Sequence, residues 1–175
     1  DMRLSIIVLL AVCVSTGAAD NLSIMVEDYL AMRDVPPWTA SANYEQALLV
    51  QNAFVKALEP KLGKPVGFKV GLVNKEAQDR FNIDHPVRGR LLTKMMLPND
   101  SRVLLQYGVR PVCEADLIVV VKDNDINDAR NLTEALNSLK EVVAFIELAD
   151  NFIATNPPVT AVALTAANVG ARLGI

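Results

Sequence analysis

Val112-Cys-Glu-Ala-Asp-Leu-Ile-Val-Val-Val121 decides the class of fold, because it reads in two halves. Its second half, Leu117 to Val121, is an unbroken run of branched and aliphatic residues, the pattern of a strand covered on both faces. Its first half carries two acids, Glu114 and Asp116. Side chains alternate across a strand, so residues two apart point the same way and these carboxylates share one patch. A second such segment, Val142-Val-Ala-Phe-Ile-Glu-Leu148, places Glu147 inside an apolar strand. An unpaired charge there is costly to bury, so Glu147 requires a partner. That partner is either a base, Lys69 or an arginine, or a cation shared by all three acids.

Outward from these strands, Pro65-Val-Gly-Phe-Lys-Val-Gly-Leu-Val73 also reads as a strand, short, branched and punctuated by glycine. Lys69 stands at its centre between Gly67 and Gly71, which let backbone or ligand come close. Asn74 caps a predicted short helix to Phe81, Arg102 to Leu105 reads as a further strand, and Thr133 opens another helix with Glu134 in its first turn. Upstream, Leu22, Met25, Val26, Tyr29, Leu30 and Met32 recur at helical spacing from Asn21 to about Arg33, until Pro36-Pro37. A second amphipathic helix is expected from a cap near Ser41 through Leu58, stopped by Pro60. Helices followed by strands give an α+β or α/β sheet protein.

Met2 to Ala19 has the order of a cleavable signal peptide: Arg3, the apolar run Ile6 to Val14, then small residues Ser15-Thr-Gly-Ala-Ala19. The apolar run is about half the roughly 20 residues that a membrane span needs. Residues 1–19 are therefore expected to be removed, leaving a periplasmic or secreted protein without stable membrane association. Cleavage leaves Cys113 as the one cysteine, so no intrachain disulfide holds the fold, and the thiol reads as a small buried apolar group.

The 175 residues are 51% hydrophobic and 21% charged, with a formal net charge of -3. That is a globular composition without the cationic excess of a nucleic-acid surface, so small molecules are the expected ligands. Phosphate loops, dinucleotide fingerprints and nucleophile elbows are absent. Three acids on two strands make an oxygen-rich site suited to Mg²⁺ or Mn²⁺. Zinc suits it less, since His85, the single histidine, lies in a turn-like Asp-His-Pro stretch and reads as surface.

Five segments together carry a resemblance: Gly67-Phe-Lys-Val-Gly-Leu-Val-Asn74, Pro86-Val-Arg-Gly-Arg-Leu-Leu92, Val112-Cys-Glu-Ala-Asp-Leu-Ile118, Phe145-Ile-Glu-Leu-Ala-Asp150 and Ala167-Asn-Val-Gly-Ala-Arg-Leu-Gly174. In this order and spacing the chain resembles the 2-keto-4-pentenoate hydratase branch of the fumarylacetoacetate hydrolase superfamily, from about residue 22 to 175. The resemblance implies an α+β fold, with an N-terminal helical region over 20–62 and a catalytic mixed β-sheet roll over 63–175. The family continues beyond the matched part, so the roll is expected to be incomplete at its C-terminal side.

The resemblance further implies that Glu114, Asp116 and Glu147 hold Mg²⁺ or Mn²⁺, Asp116 being shorter than the family's usual glutamate. Lys69 is implied beside the substrate, binding its carboxylate or shuttling protons. Asp84 is a weaker candidate for a catalytic contact and Asn168 for a substrate contact. The implied reaction is hydration of a small conjugated 2-oxo acid or dienol such as 2-hydroxypenta-2,4-dienoate, by a homo-oligomer. Decarboxylation or C–C hydrolysis within the superfamily, and non-catalytic binding of a small acid by an exported protein, are the alternatives.

Overall fold

The computed structural model describes residues 16–39, 41 and 43–175. The expected signal peptide lies outside the described residues up to position 15, and positions 16–19 open the first helix, α1 (Thr16–Leu30). No helix among the described residues is long and apolar enough to cross a membrane. α1 buries Met25 and Tyr29 and packs Leu22 and Val26 beside them, one stripe at helical spacing. α2 (Tyr44–Leu62) answers with Ala47, Gln51, Phe54, Val55 and Leu58. Between them Tyr29 meets Phe54 edge-on at 5.5 Å and Phe152 at 5.0 Å.

Two boundaries of α2 differ from the sequence reading. The cap is Asn43, whose side chain accepts from Gln46 N at 2.9 Å, and not Ser41. Pro60 does not stop the helix: it lies two residues from the C-terminus, where its ring forfeits a single backbone bond. The chain leaves at Gly63, whose φ of 83° suits glycine and whose N–H bonds Glu59 O at 2.9 Å.

β1 (Pro65–Gly71) pairs antiparallel with β2 (Val87–Leu92), with α3 (Lys75–Arg80) between them. Asn74 does cap α3, accepting from Ala77 N at 2.8 Å. β3 (Pro111–Val121) and β4 (Leu139–Asp150) form a long antiparallel hairpin around α4 (Leu132–Asn137), capped by Asn131 rather than opened by Thr133. β5 (Leu173–Gly174) adds a short third strand beside Glu147 and Leu148, after α5 (Ala161–Ala166). The protein is thus α+β, helices first and then antiparallel sheets. Parallel pairing occurs only as the isolated bridges Val35↔Ile153 and Met96↔Gly174 among the described residues.

Three expectations are corrected. Arg102 to Leu105 forms no strand, and Leu104 and Leu105 are exposed without a pairing neighbour. The apolar half of β3 is not covered on both faces: Leu117 is 62% exposed, and Val119 and Val121 nearly half. Among the described residues β4 is the single strand beside β3, and no element covers the stretch of its face from Leu117 to Val121. Cys113 is exposed for the same reason.

A buried ion pair ties the sheet to the helices. Asp150, at the end of β4, accepts from Arg172 Nη2 at 2.8 Å and Nε at 3.1 Å, and from the backbone of Val109 at 3.1 Å and Arg110 at 2.8 Å. Its side chain is 0% exposed and that of Arg172 8%. Arg172 also donates to Tyr29 O at 3.0 Å and lies over the Tyr29 ring at 3.8 Å.

Candidate functional site

Glycine determines how Lys69 comes to be buried. Lys69 stands opposite Gly89 in the β1–β2 ladder, and Gly67 and Gly71 flank it on the same face. A side chain at Gly89 would come within 2.5 Å of Asn168 O, and one at Gly71 within 2.7 Å of Val169 Cγ1. Their absence admits the turn at Asn168–Gly170 against that face. Beneath it the Lys69 side chain is left only 13% exposed.

The Lys69 ammonium is ion-paired with a carboxylate oxygen of Glu147, itself 11% exposed. Glu147 stands opposite Glu114 in the β3–β4 ladder, and Asp116 stands opposite Phe145 on the same face. Three acids from two strands therefore share one sheet face, with a lysine from another sheet against it. On its other side Glu147 faces Gly174 of β5, where a Cβ would overlap the Phe145 ring at 1.8 Å. Both charged partners, Lys69 and Glu147, thus lie across from a glycine.

Burial pushes the Lys69 amine below the ordinary lysine value, while Glu114 and Asp116 each pull it back up through space. Both acids therefore lie within electrostatic reach of the ammonium. Glu114 and Asp116 remain solvent-exposed, and one Asp116 oxygen accepts from the adjacent Leu117 N at 2.7 Å. The three acids and one lysine leave two excess negative charges, the complement of a divalent cation. Oxygen donors of this kind suit a hard ion such as Mg²⁺.

Spacing is a separate matter. Among the described residues no three acidic, histidine or cysteine side chains are placed to close round one ion. Glu147 is turned toward Lys69, so the base partner considered for it in the sequence is the one it has here. The fit to a metal is one of donor type and strand register, with one oxygen of Glu147 engaged by Lys69.

Two other candidates fall elsewhere. Asp84 is exposed in the turn after α3, in an open depression with Asp79, Asn82 and Ile83, and no hydrogen bond or ion pair joins it to the Lys69 cluster. Asn168 is buried, but its Oδ1 accepts from Arg90 N at 2.6 Å and its Nδ2 donates to Arg90 O at 2.9 Å. It clamps β2 instead of presenting its amide to a ligand. His85 is half-buried, its ring edge-on to Tyr44 at 4.7 Å. Asp150 and Arg172 escaped notice as a pair, although both lie in the quoted segments; an acid ending an apolar strand and an arginine between small residues were the available signals.

No family model matches the sequence. Among solved structures, 4-oxalocrotonate decarboxylase from Pseudomonas putida G7, complexed with magnesium and adipate, superposes with a TM-score of 0.76 over 90% of this chain, at 20% identity. The chain shares that enzyme's fold. A second structure of the decarboxylase, complexed with calcium and acetate, gives a TM-score of 0.74 at 20% identity, again over 90% of this chain. The chain spans 62% and 61% of the lengths of these two chains. Their fold agrees with the α+β architecture that the resemblance implied.

Proposed function

We infer that this protein belongs to the fumarylacetoacetate hydrolase superfamily and is a Mg²⁺- or Mn²⁺-dependent enzyme acting on a small 2-oxo acid. The observation that carries the reading is the convergence of Lys69 on Glu147, on the strand face that also holds Glu114 and Asp116. An inert surface has little reason to gather three acids and a largely buried lysine at the junction of two sheets. The decarboxylase structures with bound magnesium or calcium support the reading through the shared fold.

In this reading Glu114, Asp116 and Glu147 would hold the cation, which when bound would supply Lewis-acid polarisation of a 2-oxo group. Lys69, 13% exposed against Glu147 and on the side of Glu114 and Asp116, would set its ammonium where a substrate carboxylate needs a counter-charge. Its lowered proton affinity also suits it to pass a proton to a carbanionic carbon. Asn168 contributes indirectly, by holding β2 and thereby the Gly89 gap over Lys69. Decarboxylation breaks the bond to a carboxylate, releases CO₂ and returns a proton to carbon, whereas hydration adds water across a conjugated double bond. The named decarboxylase favours the first, and the hydratase-like segments of the sequence favour the second. Export after residue 19 and homo-oligomeric assembly belong to the same proposal and rest on the sequence and its resemblance.

The experiment is to strip the protein with EDTA, add Mg²⁺ or Mn²⁺, and follow 4-oxalocrotonate and 2-hydroxypenta-2,4-dienoate by ultraviolet absorbance, with CO₂ measured in parallel. Metal-dependent turnover, reduced at least about 100-fold by Glu114→Gln, is expected. CO₂ release marks decarboxylation, and loss of absorbance without it marks hydration. A protein whose thermal midpoint is unmoved by millimolar metal and which consumes neither compound would overturn the proposal, since a ligand of the native state must stabilise it.

A further inference from the structure

Lys69 stands among glycines. Its partner across the ladder is Gly89, and its same-face neighbours along β1 are Gly67 and Gly71. A long, flexible stem finds no lateral support at those three positions, yet the side chain is only 13% exposed. Cover comes from the turn at Asn168–Gly170. Asn168 O lies 2.5 Å from where a Cβ on Gly89 would stand, and Val169 Cγ1 lies 2.7 Å from where one on Gly71 would stand.

That turn holds three successive residues in the left-handed region: Asn168 at φ 57°, Val169 at φ 56° and ψ 34°, and Gly170 at φ 68°. Asparagine and glycine tolerate the region, whereas a β-branched residue is an outlier there. Val169 is the one β-branched residue with positive φ among the described residues, and it is buried. Glycine would relieve the backbone at once, as Gly170 does next door, so the isopropyl group is what sets this position apart. Such strain persists only where the surroundings over-determine it, and it gathers at working sites. Here the Asn168 side chain holds both the N–H and the C=O of Arg90, and downstream Arg172 is locked onto Asp150.

We propose that Val169 is a positioning residue for Lys69: its isopropyl group, held in the left-handed turn and seated on Gly71, walls the lysine stem so that the ammonium stays directed at Glu147 and the acidic face. The role rests on the reading that Lys69 serves a substrate at that face, and Val169 acts through the lysine rather than on the ligand. The segment that carries Val169 goes on to Gly174, which stands beside Glu147 in the β4–β5 ladder. One short stretch of chain therefore fixes both members of the ion pair.

The test compares wild type, Val169→Gly and Val169→Ile in EDTA without substrate, by brief acetylation with acetic anhydride and peptide mass spectrometry. The exposed Lys75 of the same molecule is the internal reference. In the wild type Lys69 should react at least about 10-fold more slowly than Lys75. Val169→Gly should raise the Lys69 rate at least about 10-fold at unchanged far-ultraviolet circular dichroism, while Val169→Ile, which keeps the branch, stays within about 2-fold of wild type. A merely structural valine would shift the urea midpoint and leave the ratio of Lys69 to Lys75 where it was. That ratio unmoved in Val169→Gly, an equal rise in Val169→Ile, or Lys69 as reactive as Lys75 in the wild type overturns the proposal. If Val169→Gly fails to fold, Val169→Ala decides in its place. Turnover with metal is measured separately. In an active wild type Val169→Gly should lose about 10-fold or more in kcat/KM, and an undiminished value overturns the proposal. A wild type without turnover fails the reading of the site instead, and the labelling still decides whether Val169 holds the lysine.

Discussion

Replacing Lys69 by methionine keeps the aliphatic stem and removes the charge that Glu147 now faces. Breaking a buried pair by deleting one partner costs about 3–5 kcal/mol, because the remaining ion is left uncompensated. Glu147 retains 11% of its surface and Lys69 13%, so partial hydration lowers the expected loss to about 2–3 kcal/mol. Against a domain stability of about 5–15 kcal/mol that is a large fraction. Urea unfolding in EDTA measures it directly, as a fall in midpoint at constant slope. In Mg²⁺, Glu147 of the variant would have a cation as counter-charge in place of the lysine. A metal concentration 100-fold above the variant's dissociation constant returns about 2.7 kcal/mol to it, comparable with the deficit, and the gap to wild type narrows because Glu147 no longer has the lysine as a competing partner. Lys75→Met, which removes an exposed pair with Asp79, is the control and costs less than about 1 kcal/mol. A Lys69→Met loss below about 0.5 kcal/mol in EDTA, or a loss identical with and without metal, would refute the coupling of this lysine to a cation-binding acid face.

Asp150→Ala strands the Arg172 charge and two backbone N–H groups; a loss of about 3–5 kcal/mol is expected by urea unfolding, and a loss under 1 kcal/mol would show that the pair is not formed. Burial pushes the Tyr29 phenol up to about 12, opposed by the Arg172 charge and reinforced by Asp150. The unfolded chain ionises near pH 10, so between about pH 10 and 12 the native state binds the extra proton and stability falls as pH rises, by about 2–3 kcal/mol over that window. Tyr29→Phe should lose about 1 kcal/mol at pH 8, through its bond to Ala171 O, and abolish this alkaline slope; an unchanged slope would assign it to another group.

Short local signals carried most of the fold that the sequence made legible. Asn74 followed by a charged, helix-forming stretch gave α3 with its cap, and the stripe Leu22, Met25, Val26, Tyr29 gave the buried face of α1. Strands β1, β3 and β4 followed from branched runs. Non-local facts were not legible. Covering of Leu117 to Val121 depends on what lies above the hairpin, which composition does not encode, and Pro60 could not be placed relative to a helix end until Gly63 was seen to set it. At the site, shared orientation of Glu114 and Asp116 followed from strand periodicity. The register that sets Glu147 against Glu114 depends on pairing across a hairpin, and the Lys69 contact spans 78 residues. Asn168 looked like a ligand group because its use by the Arg90 backbone is tertiary.

The bond from Tyr29 to Ala171 joins positions 142 apart in the chain. On the ribosome, at about 5–20 residues per second, roughly 7–28 s separate the emergence of these two partners. For that interval α1 carries its oily stripe with nothing from positions 171 and 172 to receive it. Until then the stripe can lean only on nearer partners such as Phe54 of α2, and the closing of Arg172 over the Tyr29 ring waits for position 172 to emerge.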